Sequence, residues 1–201
     1  MRWFNFLIFF TFWLFSLALN AQSSNEVNVT GYLFKSIKAA QAANPDSVFR
    51  IKLRGKKLRS IPPEIFQFKN LKELDLARNK LESIPNEINQ LQQLVKLNLE
   101  KNRLKELNPQ IGACKNLRWL DLGKNEITKL PDQICNLEDL EYLQLWANEI
   151  TSLPLKFYKL KKVKQIDMRA IIITNSEREN INDQLPKQAE VLFSPPCNCG
   201  K

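Results

Sequence analysis

The side chains best suited to recognition chemistry recur at one interval. Trp119 and Tyr142 stand 23 residues apart, and Trp146 follows four residues after Tyr142. Asp121 and Gln144 keep the same interval, each two residues beyond an aromatic, so each would share a strand face with a ring. Arg78, Lys101 and Lys124 form a second series with the same step. Large rings with polar neighbours suit a protein surface or a sugar ring, and a row of cations suits a carboxylate or sulfate chain. Catalysis is a poorer match. The 201 residues include no His, the usual base for a Ser or Cys nucleophile, and the five Gly form no phosphate-cradling loop. Asp75 and Asp121 lie two repeats apart, too far to act as a carboxylate pair. Four Cys without His make no persuasive zinc ligand set. The expectation is a non-enzymatic surface with no catalytic residue, no metal and no cofactor.

Those side chains need a scaffold that repeats every 23 residues, and the chain spells one out. Regular units start at Leu71, Leu94, Leu117 and Leu140 without insertion; Val163 opens another, and Val48 opens an earlier, less regular one with Lys56 at the Asn position. Each regular unit reads L-x-x-L-x-L-x-x-N-x-[LI]. Its first half alternates with period two, which predicts a short strand with one buried face. So small a unit cannot bury its own apolar side and must stack on copies of itself, giving a parallel sheet with strands about 4.8 Å apart. Asn79, Asn102, Asn125 and Asn148 are expected to turn inward and pair backbone groups left over where the strand ends. That makes them a structural ladder and not a binding row. In the second half, Pro85, Pro131 and Pro154, with Pro109 one residue late, predict a bend into a short helix or 3₁₀ turn on the convex side.

This is the leucine-rich repeat signature, and residues 48–175 resemble that family, with starts at 48, 71, 94, 117, 140 and 163. The resemblance implies an α/β leucine-rich repeat solenoid: a right-handed horseshoe arc with a parallel concave sheet. It also implies that the concave face binds other proteins. In that register the third strand column reads Arg50, Glu73, Lys96, Trp119, Tyr142, Gln165, and the fifth contains Asp75, Asp121, Gln144 and Asp167. Trp119, Tyr142 and Trp146 are therefore expected together on the hollow side, flanked by Asp121 and Gln144. The Arg78–Lys101–Lys124 row follows as the eighth column. Six strands would give a face roughly 30 Å long.

The ends depart from the pattern, as terminal coils do. Residues 1–21 resemble a secretory signal peptide: Arg2, an apolar run, then Leu19-Asn20-Ala21. An uncleaved anchor is the rival reading, disfavoured because no basic stop-transfer flank follows. Residues 22–47 are expected to form an N-terminal cap with a helix over 32–43, Thr30 capping its start. Residues 176–201 are expected to form a helix–strand cap and tail, with Ser176 and Glu179 as a capping box and Val191–Phe193 as the last strand. Asn28-Val29-Thr30 fits a glycosylation triplet.

Lys and Arg number 30 against 21 Asp and Glu; loss of Arg2 with the signal leaves 29 against 21, or +8. In an exported chain (secreted, periplasmic or at the cell surface) that excess favours a protein partner or an anionic glycan over nucleic acid. Membrane association is not indicated once the signal is cleaved. Cys114 and Cys135 fall in neighbouring coils, where side-chain direction decides whether they bridge, and Cys197-Asn198-Cys199 could pair with another molecule. That leaves a self-associating structural protein as the alternative function.

Overall fold

The computed structural model describes residues 27–172, 174–183, 185 and 189–194. The expected signal segment 1–21 and the tail cysteines Cys197 and Cys199 lie outside the described residues.

Each 23-residue unit makes one coil. Its alternating start forms a strand, and its proline-led second half forms a 3₁₀ turn on the opposite side. The strands are β1 (Leu33–Phe34), β2 (Arg50–Lys52), β3 (Glu73–Asp75), β4 (Lys96–Asn98), β5 (Trp119–Asp121), β6 (Tyr142–Gln144), β7 (Gln165–Met168) and β8 (Glu190–Phe193). They form one eight-stranded parallel sheet in chain order. The sheet and its convex turns are the leucine-rich repeat solenoid expected from the sequence. The register is the repeat itself: Arg50 lies beside Glu73, Glu73 beside Lys96, Lys96 beside Trp119, and Trp119 beside Tyr142. Leu71, Leu94, Leu117 and Leu140, and the Leu74, Leu97, Leu120 and Leu143 row, are fully buried between sheet and turns. Among the described residues no helix is long and apolar enough to cross a membrane.

Where each strand ends, the chain turns through the left-handed region. Gly55 has φ 71°, and Arg78, Lys101, Lys124, Ala147 and Ala170 follow at 53–57°. An L-residue there costs roughly 1–2 kcal/mol. The turn offsets this by aiming its N–H at the next coil: Arg78 donates to Glu100 O, Lys101 to Gly123 O and Lys124 to Trp146 O, each at 2.8 Å.

Behind that turn sit the asparagines. Asn125 Nδ2 donates to Leu122 O of its own coil at 2.8 Å and to Leu99 O of the preceding coil at 3.0 Å, while its Oδ1 accepts from Leu104 N at 3.1 Å. Asn79, Asn102 and Asn148 repeat the arrangement. All four are buried.

Three expectations need correction. The helix predicted over 32–43 is only Ile37–Gln41 (α1), because Ser36, not Thr30, caps it by accepting from Ala39 N. Leu33 and Phe34, placed in that helix by their spacing, pair instead with Arg50 and Ile51 and extend the sheet. At the other end, helix α2 (Asn175–Asp183) starts with a reciprocal pair at Thr174 and Glu177, not Ser176 and Glu179: Thr174 N donates to Glu177 Oε2 at 2.6 Å, and Glu177 N donates to Thr174 Oγ1 at 3.2 Å. The last strand expected at Val191–Phe193 is β8, so β1 alone adds to the strands that the sequence announced, and the sheet has eight.

Candidate binding face

The concave face is built by side chains leaving the strands on the side away from the leucines. Trp119 and Tyr142 occupy paired positions on β5 and β6, and each is half-buried. Trp146 leaves the chain just after β6 and is also half-buried. Its indole lies against the backbone of the preceding coil, which is possible because that coil has Gly123. A Cβ built on Gly123 would stand 2.2 Å from Trp146 Nε1. Gly123→Ala is therefore expected to lift the indole off the sheet. In a chain carrying Trp3→Phe, Trp13→Phe and Trp119→Phe, the remaining tryptophan should shift its emission to the red and become more accessible to acrylamide. An unchanged spectrum would contradict this packing.

Each ring also carries a lysine. Lys96 Nζ lies 4.7 Å from the Trp119 ring centre, Lys124 Nζ 5.7 Å from that of Trp146, and Lys164 Nζ 5.8 Å from that of Tyr142. The rings' electron-rich faces attract the ammonium groups at about 0.5–1 kcal/mol per exposed contact, weak enough for a partner to displace. Lys164 also bonds Glu141 at 2.7 Å, and Arg118 Nε meets the same carboxylate at 2.6 Å. Burial pushes the Glu141 carboxyl up, but those two cations outweigh it and hold it below its ordinary range.

The polar flank is less open than the sequence suggested. Gln144 is half-buried, but Asp121 is 8 % exposed, because its carboxylate folds back to accept from Gly123 N at 2.9 Å. Burial raises its pKa from 3.8 to about 6, with the neighbouring Glu100 adding to the rise, against the pull of the Gly123 hydrogen bond and Arg54. A carboxyl whose folded pKa is raised penalises the fold above about pH 6, and the penalty is relieved as the pH falls from 6 toward 3.8. Asn98 holds the equivalent place one coil earlier and accepts from Glu100 N at 3.0 Å without a charge. Asp121→Asn is thus expected to raise stability at pH 7.5 by about 1–3 kcal/mol, with the gain shrinking toward pH 4. Urea unfolding at the two pH values checks it.

Arg78, Lys101 and Lys124 do not join the aromatic group as a row. They stand on the left-handed turn at the margin of the sheet, and only Lys124 reaches a ring. Asp121 and Trp119 do share a cleft of about 420 Å³ toward the first coils, walled on one side by Val27–Val29 and floored by Arg50, Arg54 and Asp75. The sequence did not single out Val27–Val29 as part of this face. Cys114 and Cys135 are free, buried thiols; Cys114 Sγ lies 3.4 Å from Ile88 O, and burial pushes its pKa up to about 12. Among the described residues, no group of three or more His, Cys, Asp or Glu could hold a metal ion.

The leucine-rich repeat family model matches residues 47–104 and 115–170. Comparison with curated proteins gives no match. Among solved structures, a leucine-rich repeat protein of Leptospira interrogans is 30% identical over 81% of this chain and 47% of its own, with a TM-score of 0.65. The ectodomain of the Arabidopsis thaliana membrane receptor kinase GASSHO1/SCHENGEN3, in complex with Casparian strip integrity factor 2, is 29% identical over 79% of this chain and 20% of its own, at TM-score 0.59. Listeria monocytogenes InlP is 25% identical over 73% of this chain and 39% of its own, also at 0.59. The chain thus spans less than half the length of each of these three proteins. The register that sets Trp119 beside Tyr142 is that of a stacked 23-residue coil, and with more than half its residues matched by the family model the chain belongs to the leucine-rich repeat family.

Proposed function

We propose that this chain is a non-enzymatic binding module that takes a protein partner on its concave face, with Trp119, Tyr142 and Trp146 as anchors and Gln144 and the Asp121 edge as polar rim. The observation that carries the reading is the grouping of three half-buried rings, Trp119 and Tyr142 side by side on β5 and β6 and Trp146 just beyond β6, each with a lysine ammonium over its face. Amphipathic rings set in a well-packed surface are what dominate binding energy at protein interfaces. The structurally similar receptor ectodomain, whose complex contains a separate factor, is consistent with such a role. The apolar run in residues 1–21 supports export of the chain, with that segment removed as a signal peptide.

The test is capture from candidate extracellular material followed by affinity measurement. Trp119→Ala, Tyr142→Ala and Trp146→Ala are each expected to weaken the partner at least tenfold, roughly 1.4 kcal/mol or more. Each should keep a cooperative unfolding transition, with the melting temperature lowered by no more than about 10 °C, since half-burial of a large ring contributes roughly 2–3 kcal/mol. Loss of binding that merely tracks loss of fold, or binding that survives all three changes, would overturn the reading.

A further inference from the structure

The flank where each coil leaves its strand is a second surface at the margin of the concave face, meeting it at Lys124, whose ammonium lies over Trp146. Arg78, Lys101 and Lys124 stack there one coil apart, held in step by their backbone bonds to the next coil. Two residues further on, Lys57, Lys80 and Arg103 form a parallel row, locked in register as Lys80 N donates to Leu58 O at 2.8 Å and Arg103 N to Leu81 O at 2.9 Å. Glu126 and Glu149 continue that second row and end the positive stretch.

What distinguishes this strip is how its charges are left. On the concave face cations meet carboxylates: Arg50 with Glu73 at 2.6 Å, Arg54 with Glu100 at 2.9 Å, Arg169 with Asp167 at 2.6 Å. On the flank Lys57, Arg78, Lys80 and Arg103 are exposed and make no ion pair among the described residues. Among the described residues Lys101 makes an ion pair with its neighbour Glu100, at 3.4 Å, and Lys124 lies over a ring. Like charges repeated at about 4.8 Å in two rows raise a positive potential that an anion lying along them would relieve.

We propose that this flank binds a linear anionic polysaccharide, its carboxylate or sulfate groups running along the stack of the first four coils. The shape favours that occupant. The strip is about 15 Å long and two side chains wide, dimensions that suit a single narrow chain better than a lipid surface or a nucleic-acid duplex. The proposal does not depend on the concave-face reading.

Alginate and dextran sulfate of defined length are the probes, with neutral dextran, phosphatidylglycerol vesicles and a DNA duplex alongside. At about 0.15 M salt, Arg78→Glu/Lys80→Glu/Arg103→Glu is expected to weaken both polyanions at least tenfold. It should also flatten the dependence of log K on log salt by about three, roughly one per lost contact. Lys38→Glu/Lys115→Glu/Lys159→Glu, with the same change in net charge, should lose less than threefold. The milder Arg78→Gln/Lys80→Gln/Arg103→Gln set gives the same ordering if the reversed charges disturb folding. The Trp119/Tyr142/Trp146 triple alanine should bind the polyanions as wild type does. Equal losses in flank and control sets, no binding of either polyanion by the wild type, or tighter binding of vesicles or duplex would overturn the proposal.

Discussion

Asn125→Leu is expected to destabilise the chain by about 3–5 kcal/mol, although the replacement is apolar and lies among leucines. Leu104 N donates to Asn125 Oδ1, so the substitution orphans that buried donor, at roughly 1–3 kcal/mol. Leu99 O and Leu122 O fare better, because each also accepts from another rung, Asn102 and Asn148 respectively. They lose a bond apiece, about 1 kcal/mol net each. A leucine must also enter a space shaped for a planar amide, adding packing strain. The melting temperature should fall by roughly 6–20 °C at about 2–4 °C per kcal/mol. A loss under 1 kcal/mol in urea unfolding would mean that the ladder does not hold successive coils together.

The second large effect lies on the convex side. The 3₁₀ turns Pro109–Ala113 and Asp132–Asn136 stack closely at Gly112. A Cβ there would stand 2.5 Å from Gln133 O, a backbone atom that no rotamer change can move. Gly112→Ala is therefore expected to push the two coils apart at a cost of about 3 kcal/mol, the upper end of ordinary overpacking. Thermal unfolding reads it directly, and near-neutrality would show that the turns have more play than their spacing implies. Other coils carry Asn89 and Cys135 at the equivalent place, so this requirement belongs to one junction and not to the repeat.

That contrast explains what could be read from the sequence. Leucine rows, strand register, proline-led turns and inward asparagines were legible because every coil restates them, and neighbouring copies must agree in order to stack. The terminal segments have no copies to agree with. Leu33, Phe34, Ile37 and Ala40 fit a helical stripe, yet the backbone of Leu33 and Phe34 goes to the open edge of β2, and Ser36 delays the helix to Ile37. The capping pair Thr174–Glu177 was missed for a related reason: Ser176 and Glu179 have the same spacing, and only the onset of α2 decides between them.

For the candidate site, the columns are legible in the 23-residue step, but what covers them is not. Lys96, Lys124 and Lys164 sit 23, 22 and 22 residues from their rings, an offset visible in principle but meaningful only once side-chain reach is known. Asp121 was assigned to the open face because strand alternation sends it there. It is buried because its carboxylate bends back to Gly123 N, a local bond that alternation does not register.

Hydroxyl-radical footprinting with and without a captured protein partner tests the central claim most directly. The concave face predicts that Trp119, Tyr142 and Trp146 become protected, while Tyr158 and Leu155, exposed in the last convex segment, are oxidised as before. Protection of Tyr158 and Leu155 with the three concave rings unchanged would contradict it.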